Sequence, residues 1–193
     1  MNHIHQNIHG YFDFEHVYRQ YAEQIPAGGT FVEIGVFCGK SIAHFAVECV
    51  NRENNVKIYG VDTWTGMAYD ERESQNLNNY IRDLPDGLYN HFLDNIKSLP
   101  EGVITPIQKL SYEAAEDFED ESVNIIFLDA DHTYEGVLKD LQAWYPKLKK
   151  GGIFSGHDYT SYPPDDGVFR AVNQFFENKD IKTHSNNVWE IIK

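Results

Sequence analysis

The stretch Phe127-Leu128-Asp129-Ala130-Asp131-His132 joins an apolar run to two carboxylates and an imidazole. Carboxylate oxygens at this spacing can hold a hard divalent cation. An imidazole, whose ordinary pKa is about 6.5, can accept a proton from a substrate at neutral pH. A second pair of this kind, His157-Asp158, closes the run Ile153-Phe154-Ser155-Gly156. Apolar runs bounded by polar residues read as buried parallel strands. In open α/β sheets, ligands bind outside the carboxyl ends of the strands, where both clusters fall.

A third feature is Glu33-Ile34-Gly35-Val36-Phe37-Cys38-Gly39-Lys40-Ser41, which reads as a strand, a glycine turn and a helix start. Gly35 and Gly39 allow close approach of the backbone to a ligand, and the N–H groups of the helix start attract an anion. The spacing is G-x-x-x-G, not the G-x-G-x-x-G of a dinucleotide fold, which argues against a nicotinamide enzyme. Asp62 closes the next apolar run, where an acid is placed to bind ribose hydroxyls.

The elements that must position these groups alternate strand and helix, which predicts α/β layering. A leading helix is expected over 13–25. Strands are expected at 30–36, 57–62, 102–108, 123–129 and 153–158, with Pro106 favouring an edge position for the third. Helices are expected at 40–50 and 88–99, at Val137–Leu148 with Gly151-Gly152 ending it, and over 168–178. Asp180–His184 and Asn187–Lys193 flank Ser185-Asn186 as a closing hairpin. Residues 64–87 form a long, irregular βα connection, expected to be a lid or insertion over the substrate or, equally, a solvated surface loop. It carries Tyr69, Tyr80 and the acids Asp70, Glu71, Glu73, Asp83 and Asp86 against Arg72 and Arg82, which favours neutral polyhydroxy or cationic substrates over phosphorylated ones.

The chain has 193 residues, 41% of them hydrophobic, which fits one domain over 1–193. Its formal charge of −14, with no cluster of Lys and Arg, excludes polyanion binding, so no nucleic-acid partner is expected. No apolar run approaches membrane-spanning length, so no membrane partner is expected and a cytoplasmic location is. Cys38 and Cys49 are too few for a disulfide scaffold and are expected to be free and buried. His3, His5 and His9 in the first ten residues could form a metal-binding tract. A mobile terminus is the expectation there.

Taken in order over residues 30–178, these motifs resemble the class I S-adenosylmethionine-dependent methyltransferases. The motifs are Glu33-x-Gly35-x-x-x-Gly39, Asp62, Asp129 and Gly151-Gly152. The glycine loop is similar to that of catechol O-methyltransferase-like enzymes. The phrase from Phe127 to Tyr159 is similar to the small-molecule and sugar O-methyltransferase branch. The resemblance implies a Rossmann-like, seven-stranded, mostly parallel sheet of order 3-2-1-4-5-7-6. It implies S-adenosylmethionine as cofactor and a small-molecule hydroxyl as acceptor. It implies that Glu33 and Gly35 shape the methionine pocket and that Ser41 bonds the methionine carboxylate. Asp62 would take the ribose, and Leu110-Ser111 would approach the adenine; Ser111 also suits a helix N-cap. Lys40 departs from the aromatic or apolar residue common there and receives no role.

In catechol-type enzymes a metal is held by an acid ending strand four and a polar pair ending strand five. Those positions are Asp129, His157 and Asp158. His157 replaces the usual carboxylate, which shifts preference from Mg²⁺ toward Mn²⁺ or Fe²⁺ and leaves a metal-free site open. His132 falls where such enzymes often keep a catalytic base, with Asp131 orienting it or substituting for it; the alternative is a histidine capping the next helix. Trp64, Tyr69 and Tyr159 could wall the acceptor pocket, against core packing as the plainer expectation. Two other functions stay open: a metal-dependent hydroxylase-like enzyme using His132, His157 and a carboxylate, and a non-catalytic binding protein. No motif encodes the oligomeric state, and a homodimer stays open.

Overall fold

The apolar runs assemble into a seven-stranded sheet in the computed structural model, which describes residues 1–66, 73–163 and 166–193, the side chains of 73–77 excepted. The strands are β1 (Thr30–Ile34), β2 (Lys57–Asp62), β3 (Ile104–Gln108), β4 (Val123–Leu128), β5 (Leu148–Gly156), β6 (Lys182–His184) and β7 (Val188–Ile192). The order is β3-β2-β1-β4-β5-β7-β6, with β1 to β5 parallel and β7 antiparallel to both neighbours. This is the order that the resemblance implies. Strand order reverses between β1 and β4, so the crevice of the switch point opens at their carboxyl ends.

The helices are α1 (Glu15–Gln24), α2 (Lys40–Asn51), α3 (Glu73–Arg82), α4 (Gly87–Ile96), α5 (Ser111–Ala114), α6 (Tyr134–Trp144) and α7 (Gly167–Phe175). Side chains alternate across each strand, so the sheet buries two apolar layers. Phe31, Ile58, Ile125 and Phe127 face α1, α2 and α4, where Phe31 stacks on Phe45 at 3.9 Å between ring centroids. Val32, Ile34, Ile126 and Phe154 face α6 and α7, around the fully buried Trp144 and Trp189. Burial of each such side chain stabilises by about 1.5–3 kcal/mol. Among the described residues no helix is long and apolar enough to cross a membrane.

Four expectations need correction. The helix expected to run to Gly151-Gly152 ends at Trp144, because Pro146 has no N–H to continue it. The glycine pair lies inside β5, at a register shift opposite Val123–Ile125 of β4. The segment 64–87 is not irregular throughout, since 73–82 is helical and Tyr80, Ile81 and Leu84 pack partly on the core. Its Tyr69, Asp70, Glu71 and Arg72 lie outside the described residues. The N-terminus is packed: His5, Ile8 and Phe14 are buried, and residues 5–7 form a 3₁₀ turn against α2. Ile8 and Phe14 drive that docking, since each gains more from burial than its backbone loses in freedom. The closing hairpin, the edge position of β3 and the buried free cysteines are as expected.

Candidate active site

Glu33 is the inward-facing acid of β1, on the layer it shares with Phe31. It is 1% exposed. Ser41, in the first turn of α2, donates to Glu33 Oε1 at 2.5 Å. Glu33 Oε2 is buried without a hydrogen bond. Burial raises this carboxyl to about 8, with Ser41 and Tyr18 pulling the other way and the charges of Asp129 and Asp62 adding to the rise. The group is therefore mostly protonated at pH 7.

Gly35 holds the loop against the neighbouring strand. Its φ is +86°, and a Cβ there would sit 1.9 Å from the Asp129 carbonyl oxygen. Only glycine allows that contact between the ends of β1 and β4. Gly39 caps α2 at φ +89°, with Phe92 packed against it. On the side where a Cβ would stand, both glycines are packed by the chain itself.

Asp62 organises the same loop. Its Oδ2 accepts from the amides of Val36 at 2.9 Å and Phe37 at 2.8 Å, and its Oδ1 accepts from Trp64 at 2.7 Å. A carboxylate offers about four lone-pair positions, so roughly one remains for a ribose hydroxyl. Trp64 is buried, donates from Nε1 to the Phe37 carbonyl at 2.9 Å and packs on Tyr89 and Phe92. It is core and loop anchor, not a wall of an open pocket. Phe37 (φ 49°), Trp64 (φ 51°) and Asp158 (φ 55°) all adopt left-handed backbone. Strain of this kind, of order 1–3 kcal/mol per residue, is typical of binding sites.

Backbone bonds fix the polar cluster. Asp129 N–H donates to the Ile34 carbonyl at 2.8 Å, and His157 N–H donates to the Leu128 carbonyl at 3.1 Å. These bonds hold the ends of β1, β4 and β5 together. His132 Nε2 lies 3.2 Å from Asp158 Oδ2 and 3.5 Å from Asp129 Oδ1. His157 Nδ1 is 3.0 Å from Asp158 Oδ2 and 4.0 Å from Asp129 Oδ1. The ligand atoms of Asp129, His132 and Asp158 all lie within 4.8 Å of one another. The convergent trio thus contains His132 where His157 was expected. His157 stands outside it, its ring against Phe14 and its Nε2 3.7 Å from Asp13 Oδ1. Asp13 is a neighbour that no spacing rule in the sequence could have placed there.

Electrostatics follow from this packing. Burial lowers the His157 imidazole, but its bond to Asp158 and the charges of Asp129, Asp158 and Asp13 raise it to about 9. Burial also lowers His132, and the Asp129 contact with the charges of Asp158 and Asp129 raises it on balance. Burial raises Asp158, yet the hydrogen bond from His157 and the two imidazoles bring it below the usual carboxylate range. The cluster therefore favours protonated imidazoles between its carboxylates, His157 most strongly.

Asp131 is engaged at the start of the next helix. Its Oδ1 accepts from the Thr133 amide at 2.8 Å, and Thr133 Oγ1 accepts from Gly136 N–H at 3.1 Å. Thr133, not His132, caps α6. Ser111 is not a side-chain cap either; its Oγ accepts from Trp144 Nε1 at 2.9 Å. Leu110 precedes α5 and is 44% exposed. Tyr159 is partly buried, with its hydroxyl accepting from Asn173 at 2.8 Å.

A Rossmann-like sheet with a glycine loop at the switch point, an acid ending β2 and polar groups ending β4 and β5 defines the class I methyltransferase fold. Residues 32–159 match the methyltransferase-domain family, and the chain belongs to it. An uncharacterized protein of Acanthamoeba polyphaga mimivirus is 25% identical over 166 residues, 84% of this chain and 66% of that protein, so the chain spans just under two thirds of that relative. Among solved structures, the O-methyltransferase NovP superposes with TM-score 0.70 at 15% identity, over 93% of this chain and 78% of NovP. The calicheamicin methyltransferase CalS11 gives 0.62 at 16%, over 92% and 76%.

Proposed function

We propose that the chain, as one domain, transfers a methyl group from S-adenosylmethionine to a hydroxyl of a small molecule. The observation that carries this reading is the convergence of Asp129, His132 and Asp158 directly beside the glycine loop. The O-methyltransferase NovP and the calicheamicin methyltransferase CalS11, which share the fold, support a hydroxyl acceptor. The charge of −14 disfavours a nucleic-acid acceptor.

S-adenosylmethionine, when bound, supplies a methyl group already activated on a sulfonium. The residues present fit that cofactor, since Glu33 Oε2 is a buried polar atom left unpaired at the loop. Glu33, Ser41 and the first-turn amides of α2 frame the methionine end. Asp62 offers its remaining lone pair to the ribose, and Leu110 with the start of α5 faces the adenine. The work left to the chain is alignment of the acceptor and removal of its proton. His132 Nε2 is the base once it has lost the proton it shares with Asp129 and Asp158.

A divalent ion fits the same trio, because one imidazole nitrogen and two carboxylates suit Mn²⁺ or Fe²⁺ better than Mg²⁺. Asp129, His132 and Asp158 would hold it, with His157 behind Asp158, and it would supply Lewis acidity toward a bound hydroxyl. One Nε2 lone pair cannot serve as ligand and base together, so the metal-bound and His132-base modes exclude each other. The hydroxylase-like alternative needs two histidines at one point, and the trio holds one; His157 reaches Asp158 through Nδ1 and faces Asp13 with Nε2.

Calorimetric titration of the full chain with S-adenosylmethionine and S-adenosylhomocysteine, in Mn²⁺ and in EDTA, tests the proposal. Binding of both is expected in either buffer, followed by methyl transfer to a hydroxyl acceptor panel. Absence of cofactor binding would overturn it.

A further inference from the structure

A second cluster lies away from the strand ends, where the N-terminal segment crosses α2. His3, His5 and His44 each bring one ring nitrogen within 4.8 Å of the others. His5 and His44 are 2% and 1% exposed. His3 stacks on His44 at 4.4 Å between centroids, and His5 meets His44 edge-on at 4.7 Å.

Counting protons shows what the cluster lacks. His5 Nε2 lies 3.0 Å from Glu15 Oε1, and His3 Nε2 lies 3.1 Å from Glu48 Oε1. Carboxylates only accept, so both Nε2 atoms carry their hydrogens and both Nδ1 atoms carry lone pairs. His44 Nδ1 faces His5 Nδ1 at 3.4 Å and can donate one hydrogen to it. His44 Nε2 then has a lone pair as well, buried without a hydrogen bond and 3.9 Å from another acceptor, Glu48 Oε1. His3 Nδ1 is likewise buried without a partner. Among the described residues, the buried lone pairs of His3 Nδ1 and His44 Nε2 are left without a side-chain donor, and His5 Nδ1 has only the hydrogen of His44.

We propose that His3, His5 and His44 form a second metal site, for a divalent ion of the zinc class. Imidazole nitrogen selects Zn²⁺ and its neighbours over Mg²⁺ or Ca²⁺. The two carboxylate–histidine pairs are the arrangement that orients metal-bound imidazoles: Glu15 behind His5 and Glu48 behind His3. Glu48 is itself held by Arg52 and by Arg19 at 3.6 Å. The site ties residues 3–5 to α2, whose first turn carries Ser41 of the cofactor loop. Lys40 strengthens that tie by donating to the Gly10 carbonyl at 3.0 Å. An ion here would hold the N-terminal strap over the loop and take no part in methyl transfer.

The test is calorimetric titration of the full chain with Zn²⁺ alone, in wild type, His3→Ala, Glu48→Gln and His132→Ala. His3 is partly exposed, so its removal leaves the core intact. Zn²⁺ binding that persists in His132→Ala is expected, together with a loss of about 10–100-fold or more in His3→Ala and Glu48→Gln. Co²⁺ should give the visible absorption of a nitrogen-ligated tetrahedral ion in wild type and lose it in His3→Ala. Failure of wild type to bind Zn²⁺, equal affinity in His3→Ala, or loss of binding in His132→Ala alone would overturn the site.

Discussion

Glu33→Gln should make the protein's stability less dependent on pH. The wild-type carboxyl titrates near 4.5 when solvated and near 8 when folded. Between those values the folded state binds the extra proton and the unfolded state does not, so stability falls as pH rises. Each unit is worth 1.36 kcal/mol. At pH 7 the wild type has lost about 3 kcal/mol relative to pH 4.5, and above pH 8 the loss levels off near 5 kcal/mol. Glutamine copies the protonated form: its oxygen can accept from Ser41, and its amide replaces the carboxyl proton. The amide carries one further N–H, which costs about 1–2 kcal/mol if Tyr18 does not accept it. The net gain expected at pH 7 is therefore about 1–2 kcal/mol, or a few degrees in melting temperature for a chain of this length.

Urea unfolding of both proteins at pH 5, 6, 7 and 8 isolates the effect, because the other titrating groups are shared. The stability difference should grow in favour of Glu33→Gln by up to about 1.4 kcal/mol per unit. A difference that stays constant across this range would refute the buried-proton assignment. Cofactor binding supplies a second readout under the proposed function. A cation arriving beside Glu33 would pull its pKa back down, so S-adenosylmethionine should release protons on binding near pH 7, and Glu33→Gln should not.

Three further outcomes are expected. Asp62→Asn should weaken S-adenosylmethionine binding by about 1–3 kcal/mol by calorimetry, and unchanged affinity would remove the ribose assignment. His132→Ala in EDTA should cut turnover by roughly 10²–10⁴-fold with cofactor affinity near wild type, whereas a wild-type rate would make His132 structural. Gly35→Ala should destabilise the chain by several kcal/mol or prevent folding, read by circular dichroism, because its Cβ would overlap the Asp129 carbonyl.

The strands were legible because buried strands announce themselves as apolar runs, and their order came from the resemblance that the glycine loop and the strand-end acids carry. The switch-point rule then placed Asp62, Asp129, His157 and Asp158 at one rim. What the sequence hid was side-chain direction within that rim. His132 and His157 are equivalent by type, and only packing separates them: Phe14 and Asp13 hold His157 on the far side of Asp158, leaving His132 in the trio. Asp13 comes from more than a hundred residues earlier, so no local pattern reveals it. The N-terminal docking was hidden for a related reason. Three histidines mask Ile8 and Phe14, whose burial is what decides the segment's position. Leu77, Tyr80, Ile81 and Leu84 do repeat at the helical spacing of α3, but the charged residues around them suit a solvated loop equally well.

A carboxylate at the end of a buried strand is tolerated only when something offsets its lost hydration. The rim uses three different offsets. Asp62 is held by three backbone amides, Asp158 by two imidazoles, and Glu33 by a proton and Ser41. Asp129 has the weakest hold of the four, with His132 at 3.5 Å and His157 at 4.0 Å, and its side chain is 29% exposed. Exchanging its partners for a ligand therefore costs least. A metal ion or an acceptor hydroxyl should engage Asp129 first, and His132 should follow once the shared proton leaves. Asp62, by contrast, cannot trade its amides without loosening the Gly35–Gly39 loop, so its part in ligand binding is confined to the lone pair that the loop leaves over.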